Sequence, residues 1–180
     1  MVYMLLGTGF EETEAVTPLD LLRRAGVEVK TVGLNGKIVY GGHAIGVEAD
    51  MTIEELDVRD AEMIVLPGGL GGVASIRGCE KALAAVKAVA AAGNYIAAIC
   101  AGPTVLADLG LLSGVQATCY PGQIPNMKDA LVAENAACVT DGKVITGTSA
   151  GTAVPFALAL IEALKGPEAA RAIADQIVIR

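Results

Sequence analysis

Tryptophan is absent from this sequence, histidine occurs once, at His43, and aromatic residues make up only 3% of the chain. A hydrophobic core must therefore be assembled from Ala, Val, Ile and Leu, the usual filling between parallel strands and helices; apolar residues reach 53% in all. Cations are also scarce. Lys and Arg total 13 against 20 Asp and Glu, a net charge of −7, and no basic run or basic-aromatic patch is present to meet a phosphate backbone. Nucleic-acid binding is not expected. Lys87 and Gly93-Asn94 interrupt the longest apolar stretches, so none reaches the roughly 18 residues a membrane helix requires. The first ten residues, MVYMLLGTGF, lack the charged segment and cleavage site of a secretory leader, and a cytoplasmic location with no membrane insertion is the expectation. Cys79, Cys100, Cys119 and Cys138 show neither C-x-x-C nor His-rich spacing, which signals no zinc site and no disulfide scaffold. Free thiols, no metal and no cofactor are expected.

What is present is a repeating strand-helix pattern. Val2 to Leu6 is a short apolar run that stops at Gly7-Thr8-Gly9, and Glu11 to Ala25 then carries apolar residues at helical spacing up to Gly26. Val27 to Leu34 reads as a second strand, Asn35-Gly36 as a hairpin turn, and Ile38 to Tyr40 with Ile45 to Val47 as short flanking strands. Met63 to Leu66 is a buried-type strand closed by Pro67-Gly68-Gly69 and followed by a helix from Cys79 to Ala92. Tyr95 to Ile99 repeats the design: the run ends at Cys100-Ala101-Gly102, and Pro103 suits the first turn of a helix. Ala117 to Tyr120 reads as a strand, and Ala137 to Val139 with Val144 to Thr146 as a hairpin about Asp141-Gly142. Helices are expected over Ala150 to Leu164 and Pro167 to Gln176. No linker or repeat divides the chain. The pattern implies one α/β domain over residues 1–180, a flavodoxin-like three-layer sandwich with a mostly parallel sheet, similar to the class I glutamine amidotransferase fold.

Ligands of such sheets bind beyond the carboxyl ends of the strands, where the loops Gly7 to Glu14, Pro67 to Gly72 and Cys100 to Pro103 should converge. A cysteine at the first turn of a helix feels the partial positive charge of unpaired N–H groups, which favours the thiolate. Cys100 is therefore the candidate nucleophile, against the plainer reading of a small buried hydrophobe. The amides of the Gly68-Gly69 loop and of Ala101 are candidate donors to an oxyanion. Glu11 and Glu12 read as carboxylates favoured by the helix dipole. Glu14 lies further along and faces differently, so it is the candidate partner: a protonated carboxyl there hydrogen-bonds the Cys100 thiolate and stabilises it. Cys119, at the end of the strand expected beside the one that ends at Cys100, opens onto the same pocket in this reading. It either packs in the pocket wall or resolves a sulfenic acid on Cys100.

The segments EETEAVTPLDLLRRAG (Glu11 to Gly26), VLPGG (Val65 to Gly69), AAICAGP (Ala97 to Pro103) and GTSAGTAVPFALALIEAL (Gly147 to Leu164) resemble the ThiJ/PfpI superfamily over nearly the whole chain, in particular the branch of the parkinsonism-associated deglycase. The resemblance implies a homodimer, a reactive cysteine matched by Cys100, an acidic partner matched by Glu14, and an oxyanion site lined by the Gly69 and Ala101 amides. It also implies glyoxalase or deglycase chemistry on a small carbonyl substrate or glycated adduct; the alternative is a non-enzymatic oxidative-stress sensor and chaperone that works through Cys100 oxidation. Two departures stand out. Hydrolytic and glyoxalase members carry a histidine in the segment that here reads ATCYPG, where Tyr120 occupies the matching position, so a cysteine peptidase is disfavoured. Thr148-Ser149-Ala150 stands where close relatives commonly carry Arg-Gly-Pro.

Overall fold

The computed structural model describes residues 1–179. In chain order the elements are β1 (Val2–Leu6), α1 (Glu12–Arg24), β2 (Val29–Gly33), β3 (Ile38–Tyr40), β4 (Gly46–Glu48), β5 (Met51–Thr52), β6 (Met63–Leu66), α2 (Leu70–Arg77), α3 (Glu80–Ala91), β7 (Tyr95–Ile99), α4 (Pro103–Asp108), β8 (Gln116–Ala117), β9 (Leu131–Val132), β10 (Cys138–Asp141), β11 (Val144–Gly147), α5 (Ala153–Lys165) and α6 (Pro167–Gln176). Seven strands form one sheet in the order β10-β11-β7-β6-β1-β2-β5, parallel throughout except for β10 against β11.

The central strands are apolar at every position because both faces of the sheet are covered. Met4, Val65, Ala97 and Ile145 point to the face that packs against α1, α5 and α6, where Leu22, Phe156, Leu160 and Ile173 complete the layer. Leu5, Ile64, Leu66 and Ala98 point the other way, onto Val73 of α2, Val86 of α3 and Val105 of α4. Burying the aliphatic side chains on these two faces contributes about 1.5–3 kcal/mol each relative to exposure, which is how a chain so poor in aromatics builds its core. The result is a three-layer α/β fold of the flavodoxin-related type. Chain connections run from β1 towards β2 on one side and from β6 towards β7 on the other, so the strand order reverses between β1 and β6. The loops after those two strands flank the crevice where ligands of such sheets bind.

Four expectations need correction. The loop expected over Pro67 to Gly72 ends at Gly69, because α2 begins at Leu70 and carries Gly71 and Gly72, residues that disfavour a helix. They are tolerated because the helix lies hard against the loop after β1, where a Cβ on Gly72 would come within 2.7 Å of the Phe10 Cα. Asn35-Gly36 does not close a hairpin: β2 pairs with β1 and β5, and the Asn35 side chain accepts hydrogen bonds from the Thr8 N–H and hydroxyl. β3 and β4 form a separate antiparallel pair. The strand expected over Ala117 to Tyr120 shrinks to β8, which pairs with β9 outside the main sheet, and the expected start of the helix at Ala150 is a 3-10 turn, Ala150–Thr152, leading into α5.

Candidate active site

β7 is parallel to β6 and β11 and ends at Ile99, in the middle of the sheet. The chain must turn there without leaving the core. It does so at Cys100, whose φ of 64° lies in the left-handed region that costs a non-glycine residue about 1–2 kcal/mol. Two backbone hydrogen bonds hold it in place: the Cys100 N–H donates to the Gly147 carbonyl at 3.0 Å, and the Tyr120 N–H donates to the Cys100 carbonyl at 2.9 Å. The side chain is thereby lifted out of the strand register and set over a cleft of about 400 Å³ at the carboxyl end of the sheet.

Glu14 enters the same cleft from the first turn of α1 and is 1% exposed. Its Oε2 accepts the Gly68 N–H at 3.0 Å, while Oε1 is buried and has no hydrogen-bond partner of standard geometry. A buried carboxylate oxygen without a donor is costly, and it is the kind of exception that marks a working site. The thiol of Cys100 lies beside this carboxyl and shifts with it. Gly68 is what permits the approach: a Cβ there would lie 2.7 Å from the Cys100 Cβ and would collide with the Glu14 carboxyl.

Burial pushes the Glu14 carboxyl up to about 7, against the opposing pull of the Cys100 thiol and the Gly68 N–H. Burial, the Glu14 charge and the hydrogen bond between the two side chains push the Cys100 thiol up to about 12, while the Ala101 and Gly69 amides act in the opposite sense. Burial and the neighbouring carboxyl thus oppose the thiolate expected at a helix N-terminus. The helix that follows, α4, has only six residues and starts three positions beyond Cys100, so its dipole is weak; a carboxylate sits nearer. The two groups are coupled, and near neutral pH the proton rests on the sulfur while the carboxyl is the group that titrates.

Glu11, Glu14, Gly69, Cys100, Ala101 and Tyr120 all line the cleft. The Gly69 and Ala101 amides face the sulfur, and among the described residues neither donates elsewhere. The Gly68 amide is taken by Glu14, which removes it from the expected donors to an oxyanion. Leu70, Gln123 and the Ser149–Gly151 turn complete the wall, the last having drawn notice in the sequence only as a departure from a family pattern.

Cys119 is placed differently from expectation. It is buried, its thiol donates to the Tyr120 carbonyl at 3.3 Å, and it packs in the layer with Val105 and Leu106, across the sheet from the layer that Cys100 touches. It is not part of the cleft wall. Glu12 is the residue whose role the helix-dipole reading missed. Its carboxylate is buried, accepts the His43 N–H at 2.7 Å and the His43 imidazole at 2.9 Å, and so ties α1 to the β3–β4 hairpin. The His43 pKa is raised, first by this bond and then by Glu11. Glu11, Glu12 and His43 bring one ligand atom each within 4.8 Å of one another, the arrangement best suited to a cation among the described residues. With the imidazole bonded to Glu12, it serves here as a clamp.

A model of the DJ-1/PfpI family matches residues 1–163. Protein dj-1beta of Drosophila melanogaster is 34% identical over 178 residues, covering 98% of this chain and 95% of its own length. A deglycase of Pyrococcus abyssi is 30% identical over 154 residues, covering 86% of this chain and 90% of the other. Among solved structures, oxidized DJ-1 of Toxoplasma gondii matches with a TM-score of 0.94 at 35% identity, covering 98% of this chain and 97% of that one.

Proposed function

The chain belongs to the DJ-1/PfpI family, and from that premise we propose that it is a cysteine-dependent stress-response protein that acts on small reactive carbonyls of the methylglyoxal type. The observation that carries this reading is the buried Glu14 carboxyl, one oxygen unpartnered, set against the Cys100 thiol at a strained turn over an open cleft. The name of the Pyrococcus abyssi relative supports it.

In the proposed reaction the thiol adds to the aldehyde carbon. A C–S bond forms, the thiol proton passes to the Glu14 carboxylate, and the carbonyl oxygen becomes an oxyanion that the Gly69 and Ala101 amides stabilise until the Glu14 carboxyl gives it that proton. The carboxylate, freed again, removes the hydrogen from the former aldehyde carbon and returns it to the neighbouring carbonyl carbon, while the proton on the first oxygen ends on the second and the first becomes a carbonyl. That shift leaves a thioester of a 2-hydroxy acid. Water cleaves the thioester and restores the thiol, so the net change is addition of one water to methylglyoxal to give lactate. No redox partner is required. Tyr120 stands at the mouth of the cleft, half exposed, where it orients the substrate. The elbow cysteine above a mostly parallel sheet supports a class I glutamine amidotransferase-like assignment of the fold.

The test is lactate formation from methylglyoxal by the purified protein beside Cys100→Ala. Turnover by the first and none by the second supports the reading; equal background from both removes it. A second reading, an oxidation sensor with chaperone activity, draws on the oxidized state named for the Toxoplasma gondii structure. In this reading the protonated Glu14 donates a hydrogen bond to an oxidized Cys100. We also propose a homodimer, since Val16 of α1 and Ile38, Tyr40 and Ile45 of the β3–β4 hairpin are exposed apolar residues on two elements joined by Glu12 and His43.

A further inference from the structure

The charged groups that line the cleft are both carboxylates, Glu11 and Glu14, and no Lys, Arg or His among the described residues lines it with them. His43, which pairs with Glu12 and lies beside Glu11, is turned outward: its side chain is 71% exposed, its Nδ1 is 2.9 Å from Glu12 and 3.7 Å from Glu11, and it is not part of the wall. Glu14, pushed up to about 7 by burial, carries a charge that varies with pH. Glu11 is different. It sits at the start of α1 with its side chain about one-fifth exposed, makes no cap hydrogen bond to the helix, and places its carboxylate in the cleft wall. The rest of the wall is neutral, with Leu70, Tyr120, Gln123 and Ser149 as its larger members.

We propose that Glu11 makes the cleft charge-selective, admitting neutral and cationic carbonyl compounds to Cys100 and rejecting those that bear a carboxylate, such as 2-oxo acids. The inference deepens the proposed reaction and names its substrate class. An anionic group bound beside Cys100 would meet two carboxylates inside a partly desolvated space, with no cation in the cleft wall and only the outward-turned, solvent-screened His43 beside Glu11. For charges about 6 Å apart, with a dielectric between the bulk-water and protein-surface limits, that repulsion alone is roughly tenfold in affinity per charge. A cation gains by a similar factor.

The test separates the electrostatics from the catalysis. Two methanethiosulfonates of similar size, one ending in a trimethylammonium group and one in a sulfonate, each transfer an alkylthio group to Cys100: an S–S bond forms to the cysteine and methanesulfinate leaves. The rate at the Cys100 peptide is read by mass spectrometry and normalised to the same two reagents on 2-mercaptoethanol. The cationic reagent should be favoured at least tenfold over that reference, and Glu11→Gln should reduce the preference at least threefold. Glu168→Gln, which removes the same charge from exposed α6, should leave the preference in place. A normalised ratio near one, or a ratio that Glu11→Gln does not change, overturns the inference. The readout needs no turnover, so it stands or falls apart from the glyoxalase reading. Where turnover is found, glyoxal should be consumed and glyoxylate left; equal consumption of the two also overturns it.

Discussion

The Glu14 carboxyl lies against the Cys100 thiol, and burial together with this neighbour raises the thiol's pKa instead of lowering it. A thiol held neutral in this way is unreactive until its neighbour takes the proton. The carboxyl, itself pushed up to about 7, is matched to that task near neutral pH.

The same shift has a signature in stability. The Glu14 pKa rises from 4.5 to about 7 on folding, so the folded state binds this proton more tightly than the unfolded chain. Its contribution is fully present below pH 4.5 and is lost as the pH rises through 7, a change of about 3 kcal/mol. Glu14→Gln, which keeps the group neutral, should therefore stabilise the protein relative to wild type more at pH 8 than at pH 5. Urea unfolding at the two pH values checks this, and a difference independent of pH would contradict it.

Gly68 should tolerate no side chain. Gly68→Ala places a Cβ between the Glu14 carboxyl and the Cys100 Cβ, and is expected to slow iodoacetamide labelling of Cys100 at least tenfold while circular dichroism stays unchanged. Labelling at the wild-type rate would show that the two side chains do not depend on this gap.

Light scattering at micromolar concentration should give twice the 18.2 kDa mass of the chain. Charged substitutions at Ile38 and Val16 together should return it to a single-chain mass, because both are exposed apolar residues with no role in the core. A monomer in the wild type would contradict the proposed pairing.

Mild peroxide should oxidise Cys100 to sulfinic acid without forming a disulfide to Cys119. The two thiols face different core layers, and burial pushes the Cys119 thiol up to about 11. A cross-linked Cys100–Cys119 peptide in a non-reducing map would contradict the placement.

Local patterns made much of this architecture legible. An apolar run that halts at Cys100-Ala101-Gly102-Pro103 announces a strand, a tight turn and a helix, and Glu14 is marked by its offset from Glu11 and Glu12 along α1. What stayed hidden depends on contacts distant in the chain. The Cys100 shift follows from burial and from a carboxylate 86 positions away, brought together only by the fold. Helix α2 forms despite Gly71 and Gly72 because tertiary packing against Phe10 outweighs propensity. Glu12 looks like its neighbours in the sequence, and only the hairpin that brings His43 to it reveals the clamp. Cys119 was misplaced because the order of short strands after α4 has no local signature.

The pH dependence of kcat/KM for lactate formation from methylglyoxal tests the thiol–carboxyl pair most directly. Activity should rise with pH through an apparent pKa of about 7 and then level off, since Glu14 must be ionised to take the thiol proton and the thiol itself titrates far above that range. Glu14→Gln should lower kcat/KM at least a hundredfold and abolish the rise near 7. A wild-type profile that instead climbs through pH 8 to 9, as for a free cysteine, with Glu14→Gln following the same curve, would contradict the account.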